Sequence, residues 1–182
     1  MTADRAPISA AMVALCLALC AAAHAETFAP GATYQTCFTP AQDCEVVIVD
    51  AITAARSSVF MQAYSFTSPA IAKALRAAHG RGVDVRAIVD KSQRTARYSG
   101  ASFLVNAGIP VLVDFLPAIA HSKIMLIDAG GAAPMVITGS YNFTRAANVR
   151  NAENIIVISG DQGIASAYLQ NWQDRAAQSE PF

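Results

Sequence analysis

Apolar positions recur along this chain with two different periods, and the switches between them mark out its elements. Within residues 44–56, Ile48, Val49, Ile52 and Ala55 return at helical spacing, which predicts a helix. Residues 57–66, SSVFMQAYSF, are β-branched and aromatic enough to contain a buried strand. Ser68-Pro69 then supplies an N-cap followed by proline at the first helical position. Ile71, Ala74, Leu75 and Ala78 give the helix one apolar face, and Gly80 stands where it should stop. Residues 83–90, VDVRAIVD, alternate as the next strand. A polar segment, 91–100, precedes a short helix ending at Gly108, and residues 109–114 form a third strand. Residues 121–128 and 135–138 read as central strands joined through Ala129-Gly130-Gly131, and 154–159, NIIVIS, as another. Asp161 can cap a last helix that carries Ile164, Tyr168 and Trp172.

Three successive strand–helix units imply parallel strands covered by helices. The expected fold class is therefore α/β: one domain over residues 44–182, with a mixed, largely parallel sheet flanked by helices on both faces. Ahead of it, residues 26–43 are rich in Thr, Pro, Gly and Gln and read as an irregular arm.

Composition changes the picture at the N-terminus. Of 182 residues, 54% are hydrophobic, and part of that bias comes from the run between Arg5 and Ala23-His24-Ala25. A basic start, a short apolar stretch and a small-residue site predict that residues 1–25 are a secretory signal peptide, cleaved after Ala25. The run is alanine-rich and short of the ~20 strongly apolar residues a span needs, so no stable membrane anchor is expected after cleavage. Bulky Leu19 before Cys20 argues against a lipid-modified cysteine. The expected location is a periplasm or the medium outside the cell.

The mature chain would keep 157 residues (182 less 25), with 12 Lys/Arg and 12 Asp/Glu once Arg5 and Asp4 leave the 13 of each. Net charge thus argues neither for nor against a polyanionic partner. Cys37 and Cys44 remain, seven positions apart in an exported chain, and a disulfide between them is the expected staple.

The chemistry gathers between His121 and Glu153. In a strand, residues two apart share a face, so His121 and Lys123 can converge on one group. Asp128 has the opposite parity and falls near the strand's end, which suits a structural or orienting role. Gly139 permits close backbone approach, while Ser140 and Asn142 offer donors to oxygens, and Thr144 can cap a short helix. Lys123 and Asn142 read as phosphate clamps for a pentacoordinate transition state. A neutral His121 can attack phosphorus, a second imidazole suits protonation of the leaving oxygen, and Glu153 can orient an imidazole.

HSKIMLID, followed by GSYNFT and NAENI, resembles the H-x-K-x4-D…G-S-x-N motif of the phospholipase D superfamily. The likeness extends through VDAITAARSSVFMQAYSFTSPAIAKAL, GRGVDVRAIVD and NWQDR, and within the superfamily it is greatest to the small exported Nuc-type endonucleases. The resemblance implies metal-independent phosphodiester cleavage through a phosphohistidine, without a cofactor. It makes His121 the nucleophile, Lys123 and Asn142 phosphate ligands, Ser140 an assistant and Glu153 a support for histidine. One departure is the ten residues between Asp128 and Gly139, longer than the usual pattern; Gly130, Gly131 and Pro134 among them read as an extended hairpin tip.

Five basic residues lie between Arg81 and Arg97 (Arg81, Arg86, Lys91, Arg94, Arg97) against Asp84 and Asp90, with Tyr98 beside them; Arg145 and Arg150 flank the motif. Lys91, Arg94, Arg97 and Arg145 are the expected rim for a nucleic-acid backbone, DNA or RNA. No base-reading motif is evident, so little sequence specificity is expected. A lipid phosphodiesterase is the alternative enzyme, and a non-catalytic nucleic-acid-binding module the alternative class.

Superfamily enzymes place two such motifs around one phosphate, yet the mature chain keeps only His79 and His121, and His79 ends a helix without a lysine two residues on. The second imidazole is therefore expected from a symmetry mate in a two-fold homodimer. Light scattering on the mature protein should return twice the monomer mass; a fully active monomer would contradict the shared site.

Overall fold

The computed structural model describes residues 25–182 except Arg97. Apart from Ala25, the expected signal peptide lies outside the described residues. In chain order the elements are β1 (Thr33–Thr39), α1 (Cys44–Ala54), β2 (Ser58–Ala63), α2 (Pro69–Gly80), β3 (Asp84–Asp90), a 3-10 turn (Lys91–Arg94), α3 (Gly100–Asn106) and β4 (Val111–Asp114). They continue with β5 (Lys123–Ile127), β6 (Met135–Gly139), α4 (Arg145–Val149), β7 (Glu153–Ser159), α5 (Gln162–Ala177) and β8 (Glu180–Pro181). The eight strands of the described residues join one sheet in the order β1-β7-β6-β5-β2-β3-β4-β8.

The sheet is mixed, but it is not largely parallel. Among the described strands only β2–β3 and β3–β4 run parallel; the other five pairings are antiparallel. The parallel part is where the strand–helix units fall, because α2 and α3 carry the chain back along the sheet. A parallel crossover takes a dozen or more residues. The seven-residue connection 128–134 is too short for one, so β5 and β6 form a hairpin and β7 adds beside β6. The second correction concerns residues 26–43. Their expected irregular arm contains β1, paired with β7 from Thr33↔Ser159 to Thr39↔Glu153. Its sequence, TYQTCFT, suits a half-exposed edge strand, but the Pro, Gly and Gln around it mask the signal. The Cys37–Cys44 disulfide is present and ties β1 to the start of α1.

Helices cover both faces. On one, α1, α2 and α3 bring Ile48, Ile52, Ile71, Leu75 and Leu104 into a core shared with Val59, Met61, Val85, Met125 and Val157 of the sheet. On the opposite face α5 lays Trp172 and Ala165 over Ile88, Ile124, Leu126 and Val136. Trp172 stacks on Phe60 with ring centroids 4.7 Å apart, and its Nε1 donates to the carbonyl of Met61. The alternation along β5 divides Met125 and Ile127 from Ile124 and Leu126, so one strand serves both cores.

Asp128 lies at the end of β5 remote from His121. Its backbone takes φ 51°, and its carboxylate accepts hydrogen bonds from the backbone N–H groups of Arg56, Ser57 and Ser58 and from Ser57 Oγ. It thereby clamps the loop entering β2 to the β5–β6 hairpin, and the extra residues of that hairpin sit at this far end. Burial raises the Asp128 pKa, but the bonds from Ser58, Ser57 and Arg56 outweigh it and leave the carboxyl below its ordinary 3.8. A lowered folded pKa stabilises above 3.8, and the contribution is lost as pH falls through the folded value. Asp128→Ala should cost about 2 kcal/mol near neutral pH by stranding these donors. Denaturant melts should show the deficit shrinking well below pH 3.8; an unchanged deficit there would contradict the clamp.

Candidate active site

The predicted chemical residues gather at one end of the sheet because of strand direction. Lys123 opens β5 and pairs with Ala63 at the end of β2; Gly139 closes β6 and pairs with Ile155 near the start of β7; Thr39 ends β1 opposite Glu153. This end is also where the parallel strands β2, β3 and β4 finish, the side on which open α/β sheets place ligands. His79 lies in the last turn of α2, which returns the chain to the start of β3, so it stands at the other end.

His121 is exposed just before β5. The Tyr64 ring lies against its imidazole, with centroids 4.5 Å apart and planes tilted by 52°. Lys123, only 7% exposed, curls back so that Nζ donates to the His121 carbonyl at 2.5 Å and stands 5.0 Å from the Tyr64 ring centroid. Burial lowers the Lys123 pKa from its ordinary 10.5, and the negative charge of Glu153 partly opposes that shift.

The turn after β6 depends on Gly139. A Cβ there would stand 2.2 Å from the carbonyl oxygen of Asn154, which accepts from the N–H groups of both Ser140 and Tyr141. Ser140 Oγ is exposed and donates to Glu153 Oε2 at 2.6 Å, while accepting from the Asn154 N–H. Glu153 Oε1 accepts from Asn151 Nδ2 at 3.0 Å. Within one chain, both Glu153 oxygens are therefore engaged by Ser140 and Asn151, and neither is bonded to His121. Asn142 is half-buried, and its Oδ1 is sealed without a partner among the described residues. Tyr141 points into the core; burial first, then Glu45, Asp43 and Glu153, push its phenol above the ordinary value. The Phe143 carbonyl accepts from the N–H groups of Thr67 and Ser68, which fastens the turn to the start of α2. Thr144 caps α4 by accepting from the Ala147 N–H.

The basic residues divide. Arg81 donates to the carbonyls of Ile52, Thr53 and Ala55 at the end of α1, and Arg86 pairs with Asp84; both stand away from the site. Lys91 and Arg94 follow β3 at the site end, Lys91 donating to the Pro117 carbonyl and Arg94 lying over the Phe115 ring. Arg145 is exposed at the start of α4, beside the motif turn. Arg97 lies outside the described residues.

Two contributors escape sequence reasoning. Tyr64 falls inside a strand-like run, and nothing in one dimension places its ring on His121. Asp90 is 3% exposed and accepts from the N–H groups of Ser92 and Ala120, so it holds the loop just before His121; the D-x-S pattern at a strand end is its only signal. Among the described residues no three His, Cys, Asp or Glu side chains cluster as metal ligands, and no helix is long and apolar enough to cross a membrane.

Residues 48–175 match the family described as "Cardiolipin synthase, PLD-like domain". The phospholipase D of Rickettsia conorii is 46% identical over 142 residues, spanning 78% of this chain and 68% of its own. The mitochondrial cardiolipin hydrolase of Homo sapiens is 33% identical over 115 residues, 63% of this chain and 44% of its own. The crystal structure of Nuc from Salmonella typhimurium, a phospholipase D family member, superposes with a TM-score of 0.78 at 38% identity, covering 83% of this chain and 98% of that one.

The Glu153 carboxylate favours the charged form of Lys123, so Glu153→Gln should let the Lys123 pKa fall further. The alkaline limb of phosphodiester turnover should then move to lower pH in a pH–rate profile; an unmoved limb would uncouple the two residues.

Proposed function

The chain belongs to the phospholipase D-like family and is a phosphodiesterase, and from that premise we propose that it is an exported endonuclease cutting DNA or RNA without a metal. The observation that carries this reading is the likeness to Nuc, which extends over nearly the whole of that chain at 38% identity. The exposed site end, rimmed by Lys91, Arg94 and Arg145, suits a long polyanion lying across it.

In the proposed reaction, the neutral imidazole of His121 attacks phosphorus in line with the leaving oxygen. The new N–P bond forms as the P–O bond breaks, and His121 of a second copy protonates the departing oxygen. Lys123 and Asn142 hold the non-bridging oxygens, where charge grows in the pentacoordinate transition state. Ser140 holds the turn and assists, and Glu153 supports an imidazole in the assembled two-chain site. Water, deprotonated by the second imidazole, then attacks the phosphohistidine and returns His121 to its starting form. Asp128 acts only through the fold.

A second reading is favoured by the Rickettsia relatives, whose name is phospholipase D at 46% identity: the same chemistry would act on a phospholipid. One assay separates the two. Plasmid DNA, RNA and phospholipid vesicles are offered to the mature protein in EDTA. The nuclease reading expects nucleic-acid cleavage that survives EDTA and falls on the order of 10³-fold or more in His121→Ala. Headgroup release without nucleic-acid cleavage selects the lipid reading, and loss of activity in EDTA rejects the metal-free mechanism.

A further inference from the structure

Beside His121 the sheet end opens into a cleft of about 230 Å³, with His121 and Ser122 at its mouth and Gln62, Asp114, Asn171 and Arg175 along its polar side. Gln62 is the penultimate residue of β2, and Asn171 and Arg175 share a face of α5, one turn apart. Asp114 at the end of β4 receives both Nε and Nη2 of Arg175 on one oxygen, which fixes the guanidinium plane.

Gln62 is only 5% exposed, and its Nε2 donates to Asn171 Oδ1 at 3.3 Å. Its Oε1 has no partner among the described residues and is not among the sealed atoms, so it faces the cleft. The Asn171 Nδ2 is likewise unengaged among them. If both amides are turned over, the outcome is the same: one unengaged amide NH2 and one unengaged carbonyl oxygen remain for a ligand. Ile88 and Ile119 supply apolar flanks.

An adjacent donor and acceptor between apolar flanks complement the hydrogen-bonding edge of a nucleobase. The volume is below the ~300–1,000 Å³ of pockets that bury drug-sized ligands, which leaves room for one ring system. A cationic lipid headgroup would meet the Arg175 guanidinium, and an acyl chain would strand the amides. We propose that this cleft is a subsite for the base of the nucleotide adjoining the scissile phosphate, and that it confers a base preference on cleavage. The inference rests on the nuclease reading and narrows it, since the motifs alone point to little specificity.

The test sequences the ends released from a randomised oligonucleotide pool by the mature protein and by Asn171→Ala, Asn171→Asp and Gln62→Met. Bis(p-nitrophenyl) phosphate serves as a diester without a base. Asn171 is exposed on α5, so its variants should fold even if Gln62→Met does not. The wild type should favour particular bases at one position beside the cut. Asn171→Ala should weaken that bias by roughly 2- to 10-fold, the worth of one hydrogen bond, and Asn171→Asp should change which base is favoured. Hydrolysis of the base-free diester should stay within about twofold. Cleavage without bias in the wild type, or an equal slowing of both substrates by the variants, would overturn the subsite alone. Hydrolysis of the base-free diester with no cutting of any oligonucleotide would overturn the nuclease reading and the subsite with it.

Discussion

The close approach of two backbones at Gly139 is the constraint on which the site turns. The Asn154 carbonyl reaches across from β7 to accept from Ser140 and Tyr141, and a side chain at 139 would occupy the same space. That approach brings Ser140 against Glu153 and delivers Asn142 half-buried on the far side of the turn. Inward, Tyr141 and Phe143 anchor the turn in the main core at 1% exposure each. A polar site thus stands on an apolar footing, which holds exposed groups in place without a long loop.

The mixed sheet explains why the candidate site residues gather at one end and the backbone clamps at the other. The parallel strands end, and the antiparallel hairpins turn, so that Lys123, Gly139 and Glu153 share an edge with the ends of β2 and β3. The same geometry sends Asp128, Arg81 and His79 to the opposite end, where Asp128 and Arg81 fasten a loop and a helix end. The Asp90 and Asp128 carboxylates perform comparable work at the two ends: each satisfies backbone N–H groups, and each sits below its ordinary pKa because those bonds outweigh the cost of burial.

Electrostatics within the site are local. A buried ammonium at Lys123 is held between the His121 carbonyl, the face of Tyr64 and the field of Glu153. The chain as a whole is neutral, so attraction for a polyanion has to come from the few cations at this end. Within one chain the Glu153 carboxylate is engaged by Ser140 and Asn151 and not by His121.

The sequence by itself determined the helices, most strand positions and the disulfide pair, and it singled out the candidate residues that the fold gathers at one end of the sheet. These depend on local periodicity, capping groups and short motifs, all of which act over a few residues. Strand parity was also enough to separate Asp128 from His121 and Lys123. Only the tertiary structure decided the rest: that most strand pairings are antiparallel, that residues 33–39 form an edge strand, that Tyr64 lies on His121, and that Arg81 caps a helix instead of joining a basic rim. Each of these depends on a partner distant in sequence, and local pattern carries no record of which distant segment will supply the hydrogen bonds or the packing surface.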